Sequence, residues 1–288
     1  MVNLQPKSYA FLVMAFTIHA IAFSQTDSIP ERYTSSNKGK FFFSWGGNRD
    51  SYSKSDITFK GEDYYFRLDD VEAHDKPKGW HIDYINPFKM TNPQTNAKIG
   101  YYISDKYTVS LGLDHMKYVM KQNQQVNITG EINLPADEAG AVFNGSYMEE
   151  PVYMSADFLL FEHTDGLNYI YAEFGRVDDI SSIFKIRNTD KFQLSITEGI
   201  GGGVLYPKTN ATLMYKDRHD EFHVAGYGLS ANLGLIFTFF KHFYIQTDLR
   251  GGYINMQDIR TTHSEADSAE QDFFFLQRVI SLGGIFRL

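Results

Sequence analysis

The segment His223–Phe239, HVAGYGLSANLGLIFTF, determines the fold class because its residues alternate between two kinds of side chain. A period of two is that of a β-strand, whose successive side chains point to opposite faces. One face is small or polar: Gly226, Gly228, Ser230, Asn232, Gly234 and Thr238, with Ile236 as the exception. The other face is apolar: Tyr227, Leu229, Ala231, Leu233, Leu235, Phe237 and Phe239. This pattern is typical of a transmembrane β-strand that has lipid on one side.

Other segments repeat the alternation, and short turns join them in pairs. Residues 243–253 follow the first segment after the turn 240–242, and residues 107–119 follow a strand that ends before the turn 104–106. The last segment, 272–288, carries its final aromatic ring at Phe286, two positions before the end. Together these patterns predict an all-β protein, an antiparallel transmembrane β-barrel with short periplasmic turns and long extracellular loops.

An even strand count follows when tight turns and long loops alternate. The predicted count is eight, with ten as the alternative, because the first two outer loops exceed 40 residues and are too long for bare coil. Segments Ile57–Leu68 and Val152–Phe161 are expected to form hairpins there, or two more transmembrane pairs. The predicted strands are 40–48, 95–103, 107–121, 168–178, 192–205, 223–239, 243–256 and 271–288. The predicted outer loops are 49–94, 122–167, 206–222 and 257–270, and the inner turns are 104–106, 179–191 and 240–242.

The N-terminus has the order of residues expected of a cleaved signal peptide. Lys7 is the only charged side chain before Asp27, an apolar run covers Tyr9–Phe23, and the small residues Ala22 and Ser24 stand at the −3 and −1 positions of a cleavage site after Ser24. A membrane anchor is the alternative, but a spanning helix needs about 20 apolar residues and this run is shorter. We therefore predict a signal peptide at 1–24, an N-terminal extension at 25–39 and the barrel at 40–288, which implies transport across the inner membrane and location in the outer membrane.

Composition narrows the choice of partners. The sequence has no cysteine, so disulfides, zinc–thiolate sites and a lipoprotein anchor are not expected. The net charge of −8 argues against nucleic acid as a partner. Aromatic residues make up 16 % of the chain, which suits a barrel with aromatic girdles at both membrane interfaces. A soluble periplasmic β-barrel that binds a small ligand is the alternative, and it would be apolar inside and polar outside.

Two short segments contain candidate catalytic or metal-binding residues. Glu162, His163 and Asp165 place a histidine between two carboxylates, which is a possible general base; a polar loop-to-strand transition is the plainer interpretation. His219 and His223 resemble the zinc-protease pattern H-E-x-x-H, although the glutamate stands one place late and no helix is expected. A solvated loop explains the second segment equally well. The catalytic candidates are Glu162, His163, Asp165 and His223, and the metal candidates are His219 and His223.

Two other sets of residues favour a structural role. Asp114, Glu173, Asp248, Lys98 and Arg250 fall on the predicted lumen face, where paired charges brace a narrow barrel. The glycine-rich stretch 199–203 lacks the residues of a phosphate loop and predicts a bulge or bend in the barrel wall. A bulge there would turn Glu198 away from the lipid-facing side.

The predicted signal peptide, paired strands, long outer loops and terminal strand resemble the small outer-membrane β-barrel superfamily of Gram-negative bacteria. Members of that superfamily include structural anchors, adhesins and enzymes that modify lipopolysaccharide. The resemblance to the lipid A deacylases would imply a His-x-Ser pair at the outer rim. In this sequence His163 is followed by Thr164 and Asp165, so no catalytic serine is assigned.

The preferred function is a structural or surface-interaction role for an outer-membrane barrel that contacts outer-membrane lipid or lipopolysaccharide. The alternative is a lipid- or lipopolysaccharide-modifying enzyme at the rim, so enzymatic activity stays open, as does the oligomeric state. No cofactor is predicted. The strand assignment gathers acidic and histidine side chains at one end, where a divalent cation could bridge lipopolysaccharide phosphates. These are His74, Asp75, His81, Glu162, His163, Asp165, His219 and His223.

Overall fold

A computed structural model describes residues 36–79 and 93–288. The predicted signal peptide, residues 25–35 of the predicted extension, and His81 lie outside the described residues. Among the described residues, no helix is long and apolar enough to cross a membrane. The strands are β1 (Phe41–Tyr52), β2 (Ser55–Lys60), β3 (Tyr64–Val71), β4 (Ala73–His74), β5 (Thr95–Tyr102), β6 (Tyr107–Met120), β7 (Gln125–Ile132), β8 (Gly145–Tyr153), β9 (Leu159–Asp179), β10 (Phe192–Leu205), β11 (Asn210–Leu213), β12 (Gly226–Phe239), β13 (Phe243–Arg260) and β14 (Ser268–Phe286).

Eight of these strands form a closed antiparallel ring in the order β1-β5-β6-β9-β10-β12-β13-β14, and β14 pairs again with β1. The predicted count of eight is therefore confirmed, and the alternative of ten is wrong. The turn at 240–242 is also confirmed, since Phe239 pairs with Phe243 across it. Phe240 and Lys241 both adopt positive φ there, which matches the twist of the two strands.

The long outer loops are themselves folded. β2, β3, β7 and β8, in that order, continue the sheet from the N-terminal end of β14, and we call this end of the barrel the upper end. The hairpin predicted at Ile57–Leu68 is present as β2 and β3. The hairpin predicted at Val152–Phe161 is absent, because β8 pairs with β7 and β9 pairs with β6, β10 and β11. We call β2, β3, β7, β8 and the upper ends of the ring strands the cap.

One strand boundary differs widely from its prediction. β9 begins at Leu159 rather than at 168, so the ring strand reaches nine residues further out. Residues 162–168 are too polar to be recognised as a lipid-facing strand. In the structure the added part of β9 pairs with β6 on one side and, over residues 159–162, with β11 on the other, where Asn210 lies opposite Glu162 and Leu213 opposite Leu159.

The lower part of the ring is apolar outside and polar inside. Its outward side chains form a belt of exposed apolar residues, among them Phe43, Ile99, Leu111, Phe174, Ile200, Leu229, Leu235, Ile245, Leu249 and Leu282. Its inward side chains are buried and polar, among them Ser44, Thr108, Ser110, Asp114, Glu173, Thr197, Asn232, Gln246, Asp248 and Arg250. This polarity is that of a transmembrane barrel and opposite to that of a soluble one. The soluble periplasmic alternative does not fit this part of the protein.

The cap has the opposite polarity, because water rather than lipid surrounds it. Its interior is a continuous apolar core that includes Ile57, Phe59, Phe66, Leu68, Tyr118, Ile128, Phe158, Phe161 and Phe273. Aromatic contacts join the elements: the ring centroids of Phe59 and Phe161 are 5.7 Å apart, and those of Phe66 and Phe158 are also 5.7 Å apart. The same strands therefore turn polar side chains inward at membrane depth and apolar ones inward above it.

The lumen is filled by the charged side chains that the sequence places there. Arg250 donates to Asp114 and, at 2.9 Å, to Glu173, while Lys98 Nζ lies 2.8 Å from Glu173. The Arg250 guanidinium also lies 4.2 Å from the centre of the Tyr171 ring. A cavity of about 30 Å³ beside Lys98 holds a water molecule or two at most. The predicted bracing role of these charges fits this geometry.

The bulge predicted in the glycine-rich stretch 199–203 is absent. β10 keeps an unbroken register from Ser195 to Leu205 against β9, and from Phe192 to Leu205 against β12. The glycines serve close approach instead, since a Cβ at Gly203 would overlap the carbonyl oxygen of Ile170. Glu198 consequently stays on the lipid-facing side, directly opposite Arg176.

Replacing Arg250 with methionine should destabilise the barrel by roughly 3–5 kcal/mol, because Asp114 and Glu173 would keep buried charges without their shared partner. The measurement is the midpoint of urea unfolding in detergent micelles, with the folded fraction read from heat-dependent gel mobility. Arg218→Met is the matched control, since Arg218 is exposed on an outer loop. Equal unfolding midpoints for the two variants would show that the lumen network contributes little.

Candidate functional site at the outer rim

The outer rim beside β9 is built by residues 206–225, which fold back over the strand. β11 pairs with the top of β9, and two isolated bridges, Lys208 with Phe222 and Ala211 with His219, close the segment on itself. This arrangement places His163, His219 and His223 at the same end of the barrel. Thr209 lies between two of them and contacts both His163 and His219.

His163 lies inside the apolar core of the cap. Its side chain is fully buried, its Nδ1 lies 2.9 Å from the Thr209 hydroxyl, and its ring packs on Phe161 and Tyr118 with centroids 5.0 and 5.5 Å apart. Burial lowers the pKa of His163 to about 4, and the Gln271 side chain offsets this only in part. The imidazole is therefore neutral at physiological pH and has no path to a substrate.

The two carboxylates that flank His163 in sequence do not contact it. Glu162 accepts a hydrogen bond from Thr164 at 2.9 Å and lies 3.4 Å from Lys76 Nζ. Asp165 accepts from the Asn210 amide at 3.4 Å, and nearly half of its side chain is exposed. Glu162 is adjacent to His163 on the strand and so points to the opposite face, while the register shift of β9 against β6 between His163 and Leu167 breaks the alternation that would have put Asp165 on the face of His163. The described geometry does not assemble a general base.

The second candidate pair is also divided. His219 Nδ1 donates to the Thr209 carbonyl oxygen at 3.4 Å, its ring centroid lies 5.9 Å from that of His263, and burial lowers its pKa. His223 Nε2 instead donates to Asp258 at 2.7 Å. Within residues 36–79 and 93–288, no group of three His, Cys, Asp or Glu side chains is placed to hold a metal ion.

The other described rim residues, His74 and Asp75, lie on the far side of β6 from Glu162, at the same end of the barrel. His74 is exposed on β4, which pairs with β6 at Val119. Asp75 accepts hydrogen bonds from the Asp50 backbone amide at 2.9 Å and from the Gln94 side chain at 2.6 Å. Burial raises the pKa of Asp75 there. Sequence reasoning missed both this contact and Thr209, since each joins residues with no periodic relation along the chain.

A pH-dependent contribution of His163 to stability follows from its lowered pKa. The unfolded chain takes up a proton near pH 6.5 and the folded cap only near pH 4, so stability falls as the pH drops through that window. The full effect is about 3 kcal/mol. Urea unfolding followed by near-UV circular dichroism at pH 7, 6, 5 and 4.5 measures it. His163→Gln should remove this dependence while His74→Gln keeps it, and the same pH dependence in all three proteins would contradict a structural role for His163.

Comparison with known proteins gives matches at the level of fold. No protein-family model and no curated protein matches the chain. The outer membrane protein OprG from Pseudomonas aeruginosa is 12 % identical, with a TM-score of 0.35 over 88 % of this chain and 98 % of that one. Ail, the attachment invasion locus protein of Yersinia pestis, is 13 % identical in its complex with the heparin analogue sucrose octasulfate, with a TM-score of 0.30 over 86 % of this chain and 99 % of that one.

Identity and TM-scores this low carry no functional argument, and the assignment rests on the molecule itself. The closed ring satisfies its backbone hydrogen bonds, the outward belt is apolar, and the lumen is polar and filled. The chain is an all-β protein whose eight-stranded ring has the architecture of an outer-membrane β-barrel.

Proposed function

We propose that this protein is a non-enzymatic outer-membrane barrel that presents a rigid β-sheet cap for surface interaction outside the cell. The observation that carries the proposal is the continuity of cap and barrel. β2 pairs with β14 through Ile57–Lys60 and Gln271–Ser268, so the cap sheet grows directly out of the barrel wall. A surface held this way keeps its geometry without the entropy loss that ordering a free loop would require.

Packing inside the cap supports the same conclusion. Phe66 and Ile128 belong to the cap sheet and Phe158 precedes β9, and all three are at most 2 % exposed. Large outer loops that carry their own apolar core are folded elements, whereas loops that serve only as connections need none. Because so many residues form this core, we infer that the outer face of the cap has a role in surface interaction.

The outer face offers a polar groove that is open to water. It has a volume of about 230 Å³ and sits where β13 carries a bulge between Met256 and Ile259. Bulges re-aim side chains and occur often beside binding sites. The charged and amide side chains of the groove suit a hydrated, hydroxyl-rich ligand such as a surface carbohydrate. The lining includes Asp56, Thr58, Arg67, Asn255, Gln257, Glu270 and Asp272.

The other functions considered have less support. A filled lumen does not favour transport of solutes, since the interior of an eight-stranded ring is occupied by its own side chains. The lipid-modifying alternative depends on His163. Its buried side chain lies against Thr209, while Glu162 and Asp165 accept hydrogen bonds from Thr164 and Asn210. Surface interaction is the function that the geometry supports best.

Membrane topology can be tested with single cysteines, because the chain contains none. Met148 is 83 % exposed on β8 of the cap, and Lys241 lies in the predicted periplasmic turn. A membrane-impermeant maleimide should label Met148→Cys on intact cells and label Lys241→Cys only after the outer membrane is permeabilised. Labelling of both variants on intact cells, or recovery of the protein in the soluble periplasmic fraction, would overturn the outer-membrane location.

Binding can be tested on the groove itself. Gln257 is exposed at the bulge, so Gln257→Trp should fill the groove and lower binding of the micelle-bound protein to an array of surface glycans by about tenfold or more. Arg218→Trp, on another exposed loop, is the control and should bind as the wild type does. Wild-type protein that binds no glycan above the level of empty micelles, or an unchanged Gln257→Trp variant, would count against the proposed role of the groove.

A further inference from the structure

A basic residue stands beside an aromatic one at several places around the inner end of the barrel. The inner end is the end opposite the cap, where Phe41 pairs with Phe286 and Phe239 pairs with Phe243. The pairs belong to β1, β6, β10 and β14 and to the turns 180–191 and 240–242, so they are spread around the ring. We call their six cations the basic collar. The pairs are Lys40–Phe41, Lys106–Tyr107, Phe184–Lys185, Lys191–Phe192, Phe240–Lys241 and Phe286–Arg287.

Aromatic contacts between neighbouring strands mark the level at which the apolar belt ends. The ring centroids of Tyr107 and Phe174 are 5.5 Å apart, and those of Phe192 and Phe239 are 5.3 Å apart. Aromatic girdles of this kind lie at the boundary between membrane and water. Lys106 and Lys191 are adjacent to these rings in sequence, and the flexible stems of such side chains carry the charge to headgroup depth.

Positive charge is in excess at the inner end. Eight Lys or Arg and four Asp are found in residues 36–40, 103–106, 178–192, 240–242 and 286–288, although the whole chain has a net charge of −8. Burial, together with the charges of Arg287 and Lys241, lowers the pKa of Lys40, so the collar cations are close enough to repel one another. By contrast, residues 122–175, most of which lie toward the cap, contain nine Asp or Glu and no Lys or Arg.

The inner turn 180–191 combines exposed apolar side chains with exposed cations. Ile183 is 72 % exposed and Phe184 is 60 % exposed. The same turn carries three cations that are exposed and make no ion pair within the described ranges, namely Lys185, Arg187 and Lys191. A hydrated polymer has no apolar surface for such side chains, whereas the boundary between headgroups and acyl chains accepts both the apolar and the basic ones.

The turn between β12 and β13 holds a ring and a cation at positions that favour other residues. The His242 amide donates to the Phe239 carbonyl oxygen at 3.2 Å, and the central residues Phe240 and Lys241 have φ of 53° and 68°. A turn with positive φ at both central residues favours Asn-Gly, because larger side chains are strained there. The Phe240 side chain is nonetheless 66 % exposed, so it makes few contacts within the protein. A lipid surface supplies the apolar contact for this ring.

We propose that the inner end of the barrel binds anionic phospholipids of the inner leaflet, with the basic collar on the headgroup phosphates and Ile183 and Phe184 inserted beside the acyl chains. Each lysine or arginine near an anionic membrane surface favours binding, and its N–H groups donate charge-assisted hydrogen bonds to phosphate oxygens. A zwitterionic headgroup has no net charge and leaves the excess positive charge of the inner end without a counter-charge. The lipid is therefore one with a net negative headgroup.

The test measures lipid binding to the purified protein in detergent micelles by native mass spectrometry. The probe is phosphatidylglycerol, and the comparison ligands are phosphatidylcholine with the same acyl chains and the soluble headgroup glycerophosphoglycerol. We expect phosphatidylglycerol to bind most tightly, and the variant Lys185→Gln/Arg187→Gln/Lys191→Gln to bind it about fivefold more weakly for each cation removed. The matched control, Lys76→Gln/Lys121→Gln/Arg218→Gln, removes the same charge from exposed positions at the upper end and should bind as the wild type does.

Equal affinity for the two phospholipids, unchanged binding by the inner-end variant, or an equal loss in the control would each overturn the proposal. So would glycerophosphoglycerol binding as tightly as the intact lipid, or wild-type protein that sediments with isolated cell-wall sacculi and shows no lipid preference. Heat-dependent gel mobility confirms that each variant is folded. The inference rests on the proposed outer-membrane location. Because binding is measured on isolated protein, its failure would remove the lipid site alone and leave the location to the cysteine-labelling experiment.

Discussion

The pairing of β1 with β14 closes the sheet, and the rest of the structure depends on that closure. Twelve residue pairs, from Phe41 with Phe286 to Tyr52 with Phe275, join the first and last ring strands. In hydrocarbon every backbone amide and carbonyl must find a partner within the protein, so an open edge at this seam would be costly. Closure also sets the bore: a ring of eight strands leaves room only for side chains, and the Arg250 network occupies that room.

A change of solvent along the strands then explains why one sheet has two kinds of interior. At membrane depth lipid surrounds the wall, so apolar residues face outward and Asp114, Glu173 and Arg250 neutralise one another inside. Above the membrane, water surrounds the same strands, and the hydrophobic effect draws residues such as Phe161 and Phe273 inward. β9 crosses this boundary within a single strand. The cap is thus a water-soluble β-fold that shares strands with a membrane barrel.

The positions of the charged and titratable side chains follow the same division between a dry interior and a surface in contact with water. His163 sits in the dry core, and its loss of solvation keeps it neutral, which suits packing and not catalysis. Charges on the water-facing cap, such as Arg67 with Asp56 and Asp69, neutralise each other at contact distance.

Period-two alternation by itself determined that the protein is a β-barrel with its apolar face outward. It also placed the lumen charges and the tight turns, because the spacing of two residues along a strand determines whether their side chains point to the same side of the sheet. Only the tertiary structure decided the cap, the early start of β9 and the unbroken register at 199–203. Strand alternation does not state which solvent a face meets, so the polar residues 162–168 gave no sign that β9 begins at Leu159 and pairs there with β11. Contacts such as Thr209 with His163, or Phe41 with Phe286, join residues far apart in sequence, and ring closure alone brings the latter two together.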